Sequence, residues 1–117
     1  MSPASAVSVL TIEVEHCSPS EVTVRCHGRL VAGATQVLYA PVRELIPRTR
    51  RIVLDLSDLK HTDSMGLGTL ARLYVAAKSA GCSLELMHLN KQIRNLLGIT
   101  HMLDVFTVVG ETGARWM

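Results

Sequence analysis

Residues 52–68, Ile-Val-Leu-Asp-Leu-Ser-Asp-Leu-Lys-His-Thr-Asp-Ser-Met-Gly-Leu-Gly, carry the pattern that decides the fold. The apolar, β-branched run 52–56 predicts a buried strand, and the polar residues 57–62 predict a loop. Either Asp63 or Ser64 can then cap a helix from 65 to about 80. The segment therefore places a serine hydroxyl at the positive end of a helix, where a phosphate can be accommodated.

The residues before this segment predict a β-hairpin followed by a helix. Branched and polar residues alternate over 7–16 and 21–27, and we expect Gly28 to end the hairpin. Apolar residues at helical spacing predict a helix over 34–47. Pro41 is expected to kink this helix or to mark its first turn, and Pro47 to end it.

The residues after the segment continue the alternation of strands and helices. A strand is predicted over 83–88, a short helix over 90–97 with Asn90 as its cap and Gly98 as its stop, and a last strand over 105–109. The order β-β-α-β-α-β-α-β predicts an α/β fold with a mixed, mostly parallel sheet. We expect residues 1–117 to form a single domain with its core at about 7–109.

Composition excludes several classes of function. The net charge of +2 is too small to predict a nucleic-acid partner, and no apolar run is long enough to predict a membrane span. The N-terminus lacks the basic region of a secretory signal. Three cysteines, Cys17, Cys26 and Cys82, without a pairing pattern favour reduced, buried thiols and a cytoplasmic location.

The segment around Ser64 resembles the signature of anti-sigma factor antagonists, the STAS-domain family. Asp63, Ser64, Gly66, Leu67 and Gly68 match the family pattern, whereas Met65 stands where the family usually has Ser or Thr. The resemblance implies helices mainly on one face of the sheet and phosphorylation of Ser64 by a partner kinase. A second departure precedes the segment, because Val31 stands where the family usually has an Asp that contacts the partner.

The helix that follows Ser64 has two different sides in the sequence. Its apolar side is predicted to pack on the sheet through Leu67, Leu70, Ala71, Tyr74 and Ala77. The other side is small and lightly charged, which would let another molecule approach closely. The predicted partner-binding residues are Asp63, Ser64, Met65, Gly66, Gly68, Thr69, Arg72 and Ala76, with Ser79 on the same side.

Catalytic functions are less well supported by the sequence. Gly66-Leu67-Gly68-Thr69-Leu70-Ala71 fits a dinucleotide fingerprint and Glu85 lies downstream, but the predicted loop separates the strand from the first glycine. Ser64 lacks the preceding glycine of a nucleophile elbow. The five histidines are scattered without metal-ligand spacing: His16, His27, His61, His88 and His101. We therefore predict no enzyme, no catalytic residue, no metal and no cofactor.

The resemblance implies a switch that controls transcription. An anti-sigma factor antagonist binds an anti-sigma factor and so releases a sigma factor. The anti-sigma factor is usually also a serine kinase that phosphorylates the antagonist, and a serine phosphatase restores it. The alternative is a STAS scaffold that is not phosphorylated and assembles with other proteins or as a homodimer, which the departures at Val31 and Met65 favour.

Overall fold

A computed structural model describes residues 9–100 and 106–109. One five-stranded sheet holds the strands in chain order, with β1 antiparallel to β2 and the other neighbours parallel. The strands are β1 Leu10–Ser18, β2 Glu21–Leu30, β3 Arg51–Thr62, β4 Ser83–Met87 and β5 Thr107–Val109. The helices are α1 Thr35–Leu45, α2 Ser64–Ser79 and α3 Lys91–Ile99, and a 3₁₀ turn, Ile46–Arg48, follows α1. The predicted element order and fold class are confirmed.

All three helices cover one face of the sheet. Each parallel strand joins its next neighbour through a helix, and right-handed crossovers in one direction place those helices on the same side. Val24, Leu54 and Leu86 lie side by side on this covered face and are fully buried. The opposite face carries Arg25 and Asp55 on neighbouring strands. The core is therefore a single aliphatic layer between the helices and one side of the sheet.

Ion pairs cross the strands of the uncovered face. Arg25 lies 2.6 Å from Glu15 and 3.8 Å from Asp55, whose other neighbour is His88 at 3.1 Å. Asp55 is only 7% exposed. Burial alone would raise the pKa of Asp55, but hydrogen bonds from the Ser57 backbone and from His88 bring it below its usual value. The carboxylate thus stays ionised between an arginine and a histidine.

The predicted loop over 57–62 is wrong, because β3 continues to Thr62. The extension pairs with an equally extended β2, with Leu30 opposite Thr62. Gly28 lies within β2 at φ 106°, next to a register shift, and does not end the hairpin. A Cβ atom at Gly28 would overlap the Val9 carbonyl oxygen. Backbone N–H and C=O groups of residues 57–62, which the sequence pattern assigned to a loop, form hydrogen bonds because the two irregular strands pair with each other.

The positions of Pro41, Pro47 and Gly98 show where the predicted helix boundaries differ from the structure. Pro41 lies in the middle of α1 and not in its first turn, and Pro47 lies in the 3₁₀ turn after the helix has ended at Leu45. Gly98 does not stop α3, which ends at Ile99. The predicted cap at Asn90 is confirmed, since its side chain accepts a hydrogen bond from the Ile93 N–H at 2.8 Å. The predictions for residues 7, 8, 105 and the tail from 110 lie outside the described residues.

All three cysteines are free thiols. Cys26 and Cys82 are buried as predicted, but Cys17 is exposed on the first strand. Burial raises the pKa of Cys26 to about 12, with Asp55 adding to the effect. The Cys26 thiol is therefore unreactive at neutral pH.

The His27 ring joins three strands, and its titration gives a first testable prediction. Its Nδ1 lies 2.7 Å from Asp58 on β3, and its Nε2 lies 3.2 Å from Glu13 on β1. These carboxylates, Asp58 first, raise the pKa of His27 above 6.5. A raised folded-state pKa stabilises the fold below the unfolded-state pKa, and this contribution is lost as the pH rises through the folded-state value.

We expect His27→Gln to remove the loss of stability that wild type shows between about pH 6 and about pH 9. Urea unfolding at both pH values measures it. His16→Gln, at an exposed histidine of the same hairpin, is the control and should keep the wild-type difference. Equal pH dependence of wild type and His27→Gln would contradict this assignment.

Candidate functional site

Asp63 begins α2 and fixes the loop that follows β2. Its Oδ1 accepts a hydrogen bond from the Gly66 N–H at 3.0 Å, and its Oδ2 accepts one from the Ala32 N–H at 3.1 Å. These backbone donors, Ala32 first and then Gly66, hold the pKa of Asp63 below its usual value. Asp63, and not Ser64, is therefore the helix cap, and its carboxylate is ionised at neutral pH.

The start of α2 lies in close contact with the ends of β2 and β3. The buried Thr62 hydroxyl donates a hydrogen bond to the Leu30 carbonyl oxygen at 2.6 Å. A Cβ atom on Gly66 would overlap both the Thr62 hydroxyl and that carbonyl oxygen. Only glycine therefore fits at this point, and the contact fixes the position of the first turn of α2 on the sheet.

Ser64 is exposed at the first position of α2. Since Asp63 already caps the helix, the Ser64 hydroxyl is left without a hydrogen bond to any described residue. Met65 beside it is 58% exposed, and Gly68 one turn later has open space where a Cβ would lie. These three residues form an accessible surface, which we call the Ser64 surface.

The remaining predicted partner-binding residues divide into two groups. Arg72 is exposed and its guanidinium lies 4.5 Å from the centre of the Tyr39 ring, while Ala76 is half-buried beside α1. Gly66 and Thr69, also predicted to contact a partner, are buried in this structure and are not part of its exposed surface. The Thr69 hydroxyl instead donates to the Met65 carbonyl at 3.0 Å.

The contact at Gly66 also explains which side of α2 is buried. It turns the helix so that Gly66, Leu70, Leu73 and Ala77 face inward, and Thr69 lies beside this line. The predicted inner side omitted Leu73, which is fully buried, and Ala71 and Tyr74 are only half-buried. Apolar residues occur almost all round this helix, so their spacing alone could not fix its rotation.

Ala32, the backbone partner of Asp63, is not among the site residues that the sequence predicts. Ala32 follows Val31, which is half-buried and whose carbonyl accepts from the Ala34 N–H at 2.9 Å. Val31, the position of a family departure, thus lies next to the residue that Asp63 holds. No local pattern signals a contact between residues that lie 31 positions apart.

The start of α2 does not have the geometry of a dinucleotide site, although β3 runs almost to the helix. Gly66 is the third residue of α2, packed against Leu30, and not a turn residue open to a pyrophosphate. Glu85 lies within β4 and binds Arg51 at 2.9 Å. Among residues 9–100 and 106–109, no group of three or more His, Cys, Asp or Glu side chains could hold a metal ion.

The fold and the Ser64 surface define a small α/β domain that presents a serine at the start of a helix. The chain belongs to the STAS domain family, whose model, described as "Mlab, STAS domain", matches residues 15–110. It is 27% identical over 88 residues to a STAS-domain containing protein of Pseudomonas aeruginosa (strain UCBPP-PA14), an alignment that covers 75% of this chain and 87% of the relative.

Solved structures of anti-sigma factor antagonists share the fold. An antagonist from Mycobacterium paratuberculosis matches with a TM-score of 0.77 and 18% identity, covering 87% of this chain and 86% of that one. SpoIIAA of Bacillus matches at 16% identity, with TM-scores of 0.74 unphosphorylated and 0.69 phosphorylated. Both alignments cover 87% of this chain, and 90% and 94% of SpoIIAA.

Within the described part of the chain, none of the helices has the length and apolar character to cross a membrane.

Gly66 and Gly68 provide a matched pair of substitutions for testing this geometry. Gly66→Ala is expected to lower the free energy of unfolding by about 2 kcal/mol or more, because the new methyl group meets backbone that cannot move aside. Gly68→Ala is expected to raise it by about 0.5–1 kcal/mol, since alanine favours the helix and meets no atom. Urea denaturation measures both, and equal effects would contradict the contact at Gly66.

Proposed function

We propose that this chain is a cytoplasmic anti-sigma factor antagonist controlled by phosphorylation of Ser64. Its Ser64 surface binds an anti-sigma factor that is also a serine kinase, and binding releases a sigma factor. A serine phosphatase returns the phosphorylated chain to its binding form. The observation that carries this proposal is the exposed Ser64 hydroxyl, which has no hydrogen bond to a described residue, beside an aspartate that already caps the helix. That hydroxyl can be modified without removing a contact that the fold requires.

Electrostatics explains how a phosphate on Ser64 would act. It adds about two negative charges at neutral pH, which the positive end of α2 tolerates. The same charges would have to lose their hydration in a protein interface, which is costly, and the ionised Asp63 repels them. We therefore expect phosphorylation to release the partner while the fold stays unchanged.

Membership in the STAS family and the fold shared with anti-sigma factor antagonists support this proposal. One of them, SpoIIAA, has been solved in both unphosphorylated and phosphorylated forms. For this chain, the kinase, the anti-sigma factor and the phosphatase are inferred from that likeness together with the accessibility of Ser64.

A second candidate function is a STAS scaffold that binds a protein partner without phosphorylation. Two observations favour it, since Met65 puts a large apolar side chain where the resemblance expects a hydroxyl, and Val31 replaces an expected acidic residue. An exposed methionine beside Ser64 would suit a permanent apolar contact better than a reversible one. The two functions differ in whether a charge at Ser64 affects binding.

The first test is phosphorylation by the cognate kinase with ATP, followed by intact mass and phosphosite mapping. We expect one phosphate on wild type and none on Ser64→Ala, because no other hydroxyl occupies the start of α2. Ser79→Ala, at an exposed serine at the other end of the same helix, is the matched control and should be phosphorylated like wild type. A phosphate on Ser64→Ala would reject Ser64 as the site.

Binding to the anti-sigma factor, measured by calorimetry, separates the two candidate functions. Ser64→Asp is expected to weaken binding by about tenfold or more while its circular dichroism spectrum stays that of wild type. Unchanged affinity of Ser64→Asp, together with no phosphate on wild type, would instead establish the scaffold.

Gly68 tests whether the Ser64 surface is the interface. Gly68→Gln adds an uncharged side chain where nothing lies within 4 Å, so the fold should tolerate it. In a close interface the same side chain would block docking and weaken binding by about tenfold or more. Thr11→Gln, at an exposed position on the uncovered face of the sheet, is the control. Equal affinities of both variants and wild type would place the interface elsewhere.

A further inference from the structure

An open groove of about 690 Å³ runs between α1 and α2, away from Ser64. It is open to solvent, and its lining is small and apolar apart from two arginines, one tyrosine and one serine. Val75 on its α2 side is 61% exposed. The lining residues are Tyr39, Arg43, Ala71, Arg72, Val75, Ala76, Ser79 and Ala80. An apolar surface with small residues along its centre suits a third helix laid across the first two.

The charges of the chain are unevenly divided between its three helices and the rest of the sequence. The three helices hold five cationic residues and a single acidic one, Glu44. The rest of the chain holds seven cationic and nine acidic residues, so that the helical layer carries a net charge of +4 and the remainder −2. The helical side therefore attracts an acidic partner.

Within the described residues, the two arginines of the groove have no carboxylate partner, in contrast to the arginines of the uncovered face. Arg25 and Arg51 each contact two carboxylates on that face. Among the described residues, no carboxylate lies within salt-bridge distance of Arg43 or Arg72. The guanidinium of Arg72 instead lies over the Tyr39 ring, which holds it at the groove.

We propose that this groove binds an acidic amphipathic helix of a partner protein, with its apolar side on Val75 and Ala76 and its carboxylates on Arg43 and Arg72. Because Tyr39 already orients the Arg72 guanidinium, this group can pair with a carboxylate at a low entropic cost. This contact lies apart from Ser64 and does not depend on its phosphorylation. It adds a second, charge-selective recognition site to the protein.

Two other occupants fit the groove less well. A second copy of the chain would have to offer an acidic helix, and the three helices provide only Glu44. A small amphiphilic anion would keep much of its surface in water, because the groove is open, whereas small-molecule sites enclose most of their ligand.

The test uses the ¹⁵N-labelled full chain and a synthetic amphipathic helical peptide of about 14 residues, four turns, with leucines on one side and glutamates at its edges. We expect this peptide to shift the amide signals of Tyr39, Ala71 and Ala76, and to bind about tenfold tighter than a matched peptide with glutamines. Arg43→Gln and Arg72→Gln should each reduce this preference. Arg48→Gln, at an exposed arginine outside the groove, is the control.

The proposal is overturned if the two peptides bind equally, if neither binds, or if the shifted signals lie outside the groove. It is also overturned if decanoate, the probe for a small amphiphilic anion, fills the groove at lower concentration than the peptide. Dimerisation of the free chain through these residues, detected by light scattering, would overturn it as well. Ser64→Asp should bind the glutamate peptide as wild type does. Failure of this proposal is thus distinguishable from failure of the phosphorylation switch.

Discussion

The structure depends on close backbone contact where α2 leaves the sheet. Gly66 has no room for a side chain because the Thr62 hydroxyl and the Leu30 carbonyl lie against its Cα, and the Asp63 carboxylate joins Ala32 to the same turn. The end of β2, the end of β3 and the first turn of α2 therefore meet at one point. This contact sets the rotation of α2, and with it the residues that α2 buries and those that it presents.

The same contact leaves Ser64 accessible. Asp63 supplies the helix cap and Thr62 supplies the buried hydroxyl. The Ser64 side chain therefore has no structural role in the fold. A residue without a structural task can change its charge without unfolding the protein, which is the physical requirement for a reversible modification site. This division of tasks among neighbouring residues links the local geometry to the function that we propose.

The two faces of the sheet differ in how their charges are satisfied. On the uncovered face, Arg25 and Arg51 each lie against two carboxylates, so that the arginines of this face are paired. On the helical side, Arg43 and Arg72 line an apolar groove without carboxylate partners in the described structure. The molecule thus has one internally paired surface and one cationic, partly apolar surface, and only the second attracts an acidic partner.

The sequence by itself determined the order of the elements, the aliphatic core and the Asp-Ser-x-Gly-Leu-Gly segment, because alternation, helical spacing and capping residues are local properties. It did not determine where β3 ends, since residues 57–62 become a strand only by pairing with β2. It also left open whether Asp63 or Ser64 caps α2, and it predicted a buried side of α2 that omitted Leu73 and placed Thr69 outside. Those features were decided by the tertiary structure, because contacts of Gly66 and Asp63 with residues more than thirty positions away fix the helix on the sheet.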